Sequence, residues 1–203
     1  MVSGNGMAHV YLDLADAVRR PWPARRARWE RLLDPVLNHP AVDLWATMRG
    51  PAEVEVAGRD RGRALVEMHR GLFSYRPVDG DPLGLDAFQR LDAAAAHERS
   101  CGTRYPDAVV QLAALLLSDR AGDVVISAAP GWDLRASYEP VVHVSSHGAL
   151  HRAHMEVPLV VGRRPAVVPR RTADLFPSAL QALGIPVPAA IDGSSFVRTD
   201  RPS

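Results

Sequence analysis

The sequence predicts an α/β fold with a small antiparallel β insertion, on three observations. Amphipathic helical stretches alternate with short, wholly apolar strands. One stretch near 52–79 interleaves glutamate with valine, leucine and methionine between turn residues, the pattern of a sheet wetted on one side. The chain, at 203 residues and 47% hydrophobic, can bury a sizeable core, and without an internal repeat or low-complexity linker it reads as a single domain, 1–203.

Each element follows from local chemistry. The stretch 8–14, AHVYLDL, places Val10 and Leu12 on one face of a strand. Pro23 then leads a helix whose apolar side is Trp29, Leu32, Leu33 and Val36, closed by Asn38-His39-Pro40. VDLWATM is a strand. AEVEV, RALVEMH and GLFSYRPV form an antiparallel meander around the polar turn Gly58 to Gly62. After the turn DGDPLGL, the spacing predicts helices over 86–98 and 106–118, the second with Pro106 in first position and Val109, Leu112, Leu115 and Leu116 as its buried stripe. GDVVISAAP has the apolar run of a strand buried on both faces of a parallel sheet, and VPLVV repeats it. TADLFPSALQALG is a helix capped by Thr172 and ended by Gly184.

Composition excludes several functions. A formal net charge of +1 gives no basic groove for nucleic acid, and all 24 basic residues are arginine. A lone cysteine, Cys101, rules out an intramolecular disulfide and a zinc ribbon. No apolar run is long enough to span a membrane, and the N-terminus lacks the pattern of a signal peptide, so the compartment is open.

The chemistry concentrates in VSSHGALHRAHMEVPLVV, where His147, His151 and His154 follow His143. At i, i+4 and i+7 the three could share a helical face and hold zinc by themselves. Gly148 and Pro158 argue against a continuous helix there, and a polar loop is the plain alternative.

The wider segment resembles the C-terminal signature of the alkaline phosphatase superfamily, nearest the type I phosphodiesterase/nucleotide pyrophosphatase branch. SSHGALHRAHMEVPLVV followed by RRTADLFPSALQALGIPVPAAIDGSSF carries in order a His-Gly loop, a Met-x-Val-Pro segment, an Arg-Thr-x-Asp helix start, a Leu-Gly-x-Pro helix end and an Asp-Gly-x-Ser close. SGNGMAHVYL, GDPLGL and GDVVISAAPGWDL look like interior pieces of the same branch. The resemblance implies a three-layer α/β sandwich, a phosphoester or nucleotide substrate, two zinc-like ions, and His147 as a metal ligand. His151 and His154 match no ligand of the family; loop hydrogen bonds or a contact to phosphate suit them better than coordination.

A two-metal centre needs about half a dozen donors. The family supplies an Asp near its first strand, a Ser or Thr nucleophile, an Asp-x-x-x-His pair and an adjacent Asp-His besides the late histidine. No Asp here precedes a His at either spacing, and Glu139-x-x-x-His143 is broken by Pro140. Neither Thr47 nor Thr103 has the context of a nucleophile. The resemblance therefore implies the C-terminal half of a metal-dependent phosphoric ester hydrolase, inactive alone, whose start at Met1-Val2 just before a turn and strand suits a truncated or split gene. Such a half predicts exposed apolar surface that a complementing N-terminal half or a second copy would cover. The other reading is a non-catalytic binding module using the meander or a sheet edge. Trp132 and Tyr138 are candidates to line a ligand, and more often such residues pack on their own domain.

Overall fold

The computed structural model describes residues 5–12, 21–135, 145–162 and 164–197. It divides into two compact units, Met1–Val157 and Pro158–Ser203. The first is a mixed α/β unit built on one seven-stranded sheet, ordered β1-β7-β2-β3-β4-β5-β6. The strands are β1 Met7–Val10, β2 Val42–Gly50, β3 Glu53–Gly58, β4 Gly62–His69, β5 Leu72–Pro77, β6 Phe88–Leu91 and β7 Val124–Ala128. Helices α1 Trp22–Leu37, α2 Ala93–Ser100, α3 Ala108–Leu116 and α4 Arg152–Met155 belong to this unit, and α5 Leu175–Ala182 to the second.

The meander forms as its turns dictate. Gly58 and Gly62 face each other across the β3–β4 turn, where Gly62 has φ +79° and an added Cβ would lie 2.0 Å from the Asp79 carbonyl oxygen. Strands β4 and β5 close on the two residues Arg70 and Gly71, both at positive φ (52° and 74°), the handedness that matches strand twist in a tight hairpin. Alternation then sends Val54, Val56, Ala64 and Val66 into the core. These strands continue the main sheet rather than forming a separate insertion.

Helices cover both faces of the sheet. On one, α3 and α2 bury Val109, Leu112, Leu116 and Ala96 against Leu44, Val54, Val66 and Phe73. On the other, α1 buries Trp22, Leu33 and Leu37 against Val42, Val124 and Ile126. Burying a side chain of this size contributes about 1.5–3 kcal/mol, so the two clusters dominate the stability of the unit. The unit also holds a buried ion pair: Arg25 Nη1 meets Asp123 Oδ1 at 2.9 Å, with side-chain exposures of 5% and 8%.

Several expectations are corrected. Strand β7 is buried on both faces, yet it runs antiparallel to both neighbours, β1 and β2. An apolar run reports double burial, which helices on each face provide, and not strand direction. Residues 157–161 form no strand, and Val160 is 94% exposed. The helix expected over 86–98 is divided: Phe88–Leu91 pairs with β5, and the Asp92 side chain then caps α2 by accepting the Ala95 N–H. Phe88 and Leu91 repeat at the helical interval, which hides a four-residue strand. Helix α3 begins two residues after Pro106, because Asp107 takes a left-handed conformation, φ 61°. In α1 the buried stripe is Trp22, Arg25, Leu33 and Leu37, whereas Leu32 and Val36 face solvent.

In the second unit, Thr172–Asp174 form a 3-10 turn ahead of α5, and Thr172 does not cap it. Asp174 organises the segment: its carboxylate accepts the backbone N–H groups of Arg170, Arg171 and Ser194. Burial pushes its pKa up, but these hydrogen bonds and the charge of Arg171 outweigh that and hold it below the ordinary value. Gly184, at φ +70°, ends the helix as expected.

Candidate functional site

The histidine loop is anchored beside the edge strand β1 and its neighbour β7. Gly6, at the start of β1, donates its N–H to the His147 carbonyl at 2.8 Å and accepts the Ala128 N–H at 2.8 Å. Leu150 N–H donates to Ser127 Oγ on β7 at 3.0 Å. Ala149 and Leu150 are buried. The packing leaves no room at Gly6, where a Cβ would sit 2.7 Å from Ala149 N. Against this fixed backbone the His147 side chain is exposed and makes no hydrogen bond among the described residues.

The other histidines are engaged. His151 caps the short helix α4, its Nδ1 accepting the Ala153 N–H at 3.2 Å. His154 Nδ1 accepts the Ala149 N–H at 3.3 Å. In both rings Nδ1 is thus the accepting nitrogen, which assigns the ring N–H to Nε2. For His151, burial and then the charge of Arg104 lower the pKa, with His154 and Arg152 adding to this and Asp43 opposing it. Arg152 is bound to main chain, donating to the carbonyls of Thr103 and Cys101, and it pairs with Glu156.

Beside α4 lies a cluster that the sequence reading missed. Asp43 is 5% exposed, its Oδ1 accepting from Arg61 Nη2 at 2.9 Å and its Oδ2 from the Tyr105 hydroxyl at 2.7 Å. Arg104 lies 4.0 Å from the same Oδ1. The guanidinium carbons of Arg61 and Arg104 stand 5.6 and 5.7 Å from the Tyr105 ring centroid. His151 meets that ring edge-on at 6.3 Å. Burial first, and the Asp43 carboxylate second, push the Tyr105 pKa above its ordinary value. The one sequence signal was an acid in the apolar strand VDLWATM, since a buried carboxylate requires partners.

Other candidates fall elsewhere. Trp132 is exposed and stands edge-on to His39 at 5.6 Å. Tyr138, Glu139 and His143 lie outside the described residues. Thr47 is fully buried in the middle of β2, and the Thr103 hydroxyl donates to the Ser100 carbonyl. Cys101 donates to the Glu98 carbonyl at the end of α2.

Among the described residues no three His, Cys, Asp or Glu side chains converge to hold a metal ion. The described residues therefore do not fit a two-zinc centre by themselves; His147, exposed and without a hydrogen bond among them, could offer one donor. No described helix is long and apolar enough to cross a membrane. The chain matches no family model, no curated protein and no solved structure.

Proposed function

We propose that the chain is part of a metal-dependent phosphoric ester hydrolase of the phosphodiesterase/nucleotide pyrophosphatase kind, with an alkaline-phosphatase-like sandwich, to which it contributes His147 as one metal ligand. The observation that supports this reading is the contrast at the histidine loop. The backbone of residue 147 is held beside β1 through Gly6, while its imidazole is exposed and makes no hydrogen bond among the described residues. A donor on a held backbone loses little freedom on coordination, and its second ring nitrogen would take an acceptor that no described residue supplies. Helices on both faces of the sheet are also compatible with a three-layer fold.

The remaining donors and the nucleophile come, in this reading, from a complementing N-terminal half. Exposed apolar side chains in the second unit, including Val160, Val168, Phe176 and Leu183, offer surface for such a partner. In this reading His147 would hold one of two zinc-like ions, which would supply Lewis-acid stabilisation for a phosphoester or nucleotide substrate.

The test is hydrolysis of bis(p-nitrophenyl) phosphate, with added zinc, by the chain extended with the coding sequence directly upstream. Turnover that disappears in His147→Ala is expected. An extended, folded protein without turnover removes the proposal.

A further inference from the structure

We propose that Arg104 and His151 form an oxyanion-binding site on the Asp43–Tyr105 platform, suited to phosphate or to a phosphoryl group on a larger ligand. This goes beyond the metal reading, because the site includes neither His147 nor a metal and stands if that reading fails.

The argument starts from charge. The cluster contains one buried carboxylate, Asp43, whose two oxygens are taken by Arg61 and by the Tyr105 hydroxyl. Arg61 is also committed to main chain, donating to the carbonyls of Asp43 and Pro82. Arg104 is the cation in excess. Its side chain is 49% exposed, and at 4.0 Å it is too far from Asp43 Oδ1 for a hydrogen bond. None of its guanidinium donors has a hydrogen-bond partner among the described residues.

Orientation follows from the ring beneath. The Arg104 guanidinium carbon lies over the Tyr105 ring at 5.7 Å from its centroid, and the Asp43 hydrogen bond fixes the tyrosine itself. A pre-set planar fork matches two oxygens of a tetrahedral or planar oxyanion. His151 supplies the second donor. Its Nδ1 is occupied by the Ala153 N–H, so Nε2 carries the proton, and its ring is set against the same tyrosine. Burial, and then the charge of Arg104, lower the pKa of this imidazole and so favour its neutral form. Arg152 does not compete, since its guanidinium is bound to Thr103, Cys101 and Glu156.

The experiment is calorimetric titration of the full chain with inorganic phosphate at constant ionic strength, with the His151 ring followed by NMR. Saturable binding in the millimolar range is expected, with the His151 ring signals moving in step. Arg104→Gln should weaken binding at least tenfold. His151→Phe, which keeps the edge contact to Tyr105 and loses the donor, should weaken it several-fold. Arg59→Gln, removing an exposed charge on the neighbouring turn, should leave it unchanged. Phenyl phosphate binding as well as phosphate would identify a phosphoryl group on a larger ligand, and phosphate alone the free anion; either supports the site. Absence of saturation, unchanged affinity in Arg104→Gln, or equal loss in Arg59→Gln overturns it.

Discussion

Gly6 and His147, 141 positions apart in sequence, are joined by a 2.8 Å hydrogen bond from the glycine N–H to the histidine carbonyl. Gly6 also accepts from Ala128, so one small residue just ahead of β1 ties the histidine loop to β7, the strand beside β1 in the sheet. It holds the 147 backbone while leaving the imidazole outside.

Gly6→Ala is therefore a disruptive change. Its Cβ would fall 2.7 Å from Ala149 N and 2.9 Å from the His147 carbonyl oxygen, both main-chain atoms that cannot swing aside. Overpacking of this kind costs about 1–3 kcal/mol. Urea unfolding should show that loss, and NMR should show the His147 amide shifting while amides in the β4–β5 hairpin do not.

Arg25→Ala should be more costly. The guanidinium bridges Asp123 and the Leu12 carbonyl at 2.9 Å each, and Asp123 also accepts the Leu12 N–H at 2.7 Å. Truncating the arginine strands a buried carboxylate, a change of about 3–5 kcal/mol. The double variant Arg25→Met/Asp123→Leu removes both charges and should recover most of it. Chemical denaturation of the single and double variants measures the difference.

These two sites show what a sequence does and does not disclose. The Gly58–Gly62 hairpin and the three-stranded meander were legible, because turn residues and period-two alternation are local signals, whereas Gly71 reads as strand and belongs to the Arg70-Gly71 turn. The double burial of Val124–Ala128 was legible as well, but the direction of its neighbours was not, since that depends on where β1 and β2 return. Arg25 in an amphipathic helix reads as a solvent-facing residue, and only Asp123, 98 positions away, reveals otherwise. The Asp43–Tyr105 contact spans 62 positions and joins a strand to an interhelical loop, so no motif contains it. Of the four clustered histidines, sequence could single out His147 by resemblance; only the packing shows that His151 and His154 are used as acceptors by the loop itself.

Acid should loosen the second unit first at Asp174. Its carboxyl pKa is held below the ordinary value of 3.8, so it favours the folded segment fully above that pH. The contribution disappears as pH falls through the folded-state pKa, when the protonated group loses its three N–H contacts. Hydrogen exchange at Ser194 should accelerate below about pH 4, beyond the intrinsic pH effect. Asp174→Ala should show the same loosening at pH 7, with a local cost of about 1–2 kcal/mol by analogy with helix-capping groups.

Substitutions at His147 and His154 should separate a presented side chain from a structural one. The His154 Nδ1 accepts the N–H of Ala149, a residue only 1% exposed. His154→Ala leaves that donor unpaired in a buried position, at a cost of about 1–2 kcal/mol. The His147 imidazole contacts no hydrogen-bonding group among the described residues, and its loop is held through backbone atoms that any side chain retains. His147→Ala should therefore shift stability by less than about 0.5 kcal/mol, the range of a surface substitution. Denaturant midpoints of the two variants, measured together without metal, check the contrast. A large loss in His147→Ala would make that ring part of the scaffold and withdraw the preformed, uncommitted donor on which its assignment as a metal ligand stands.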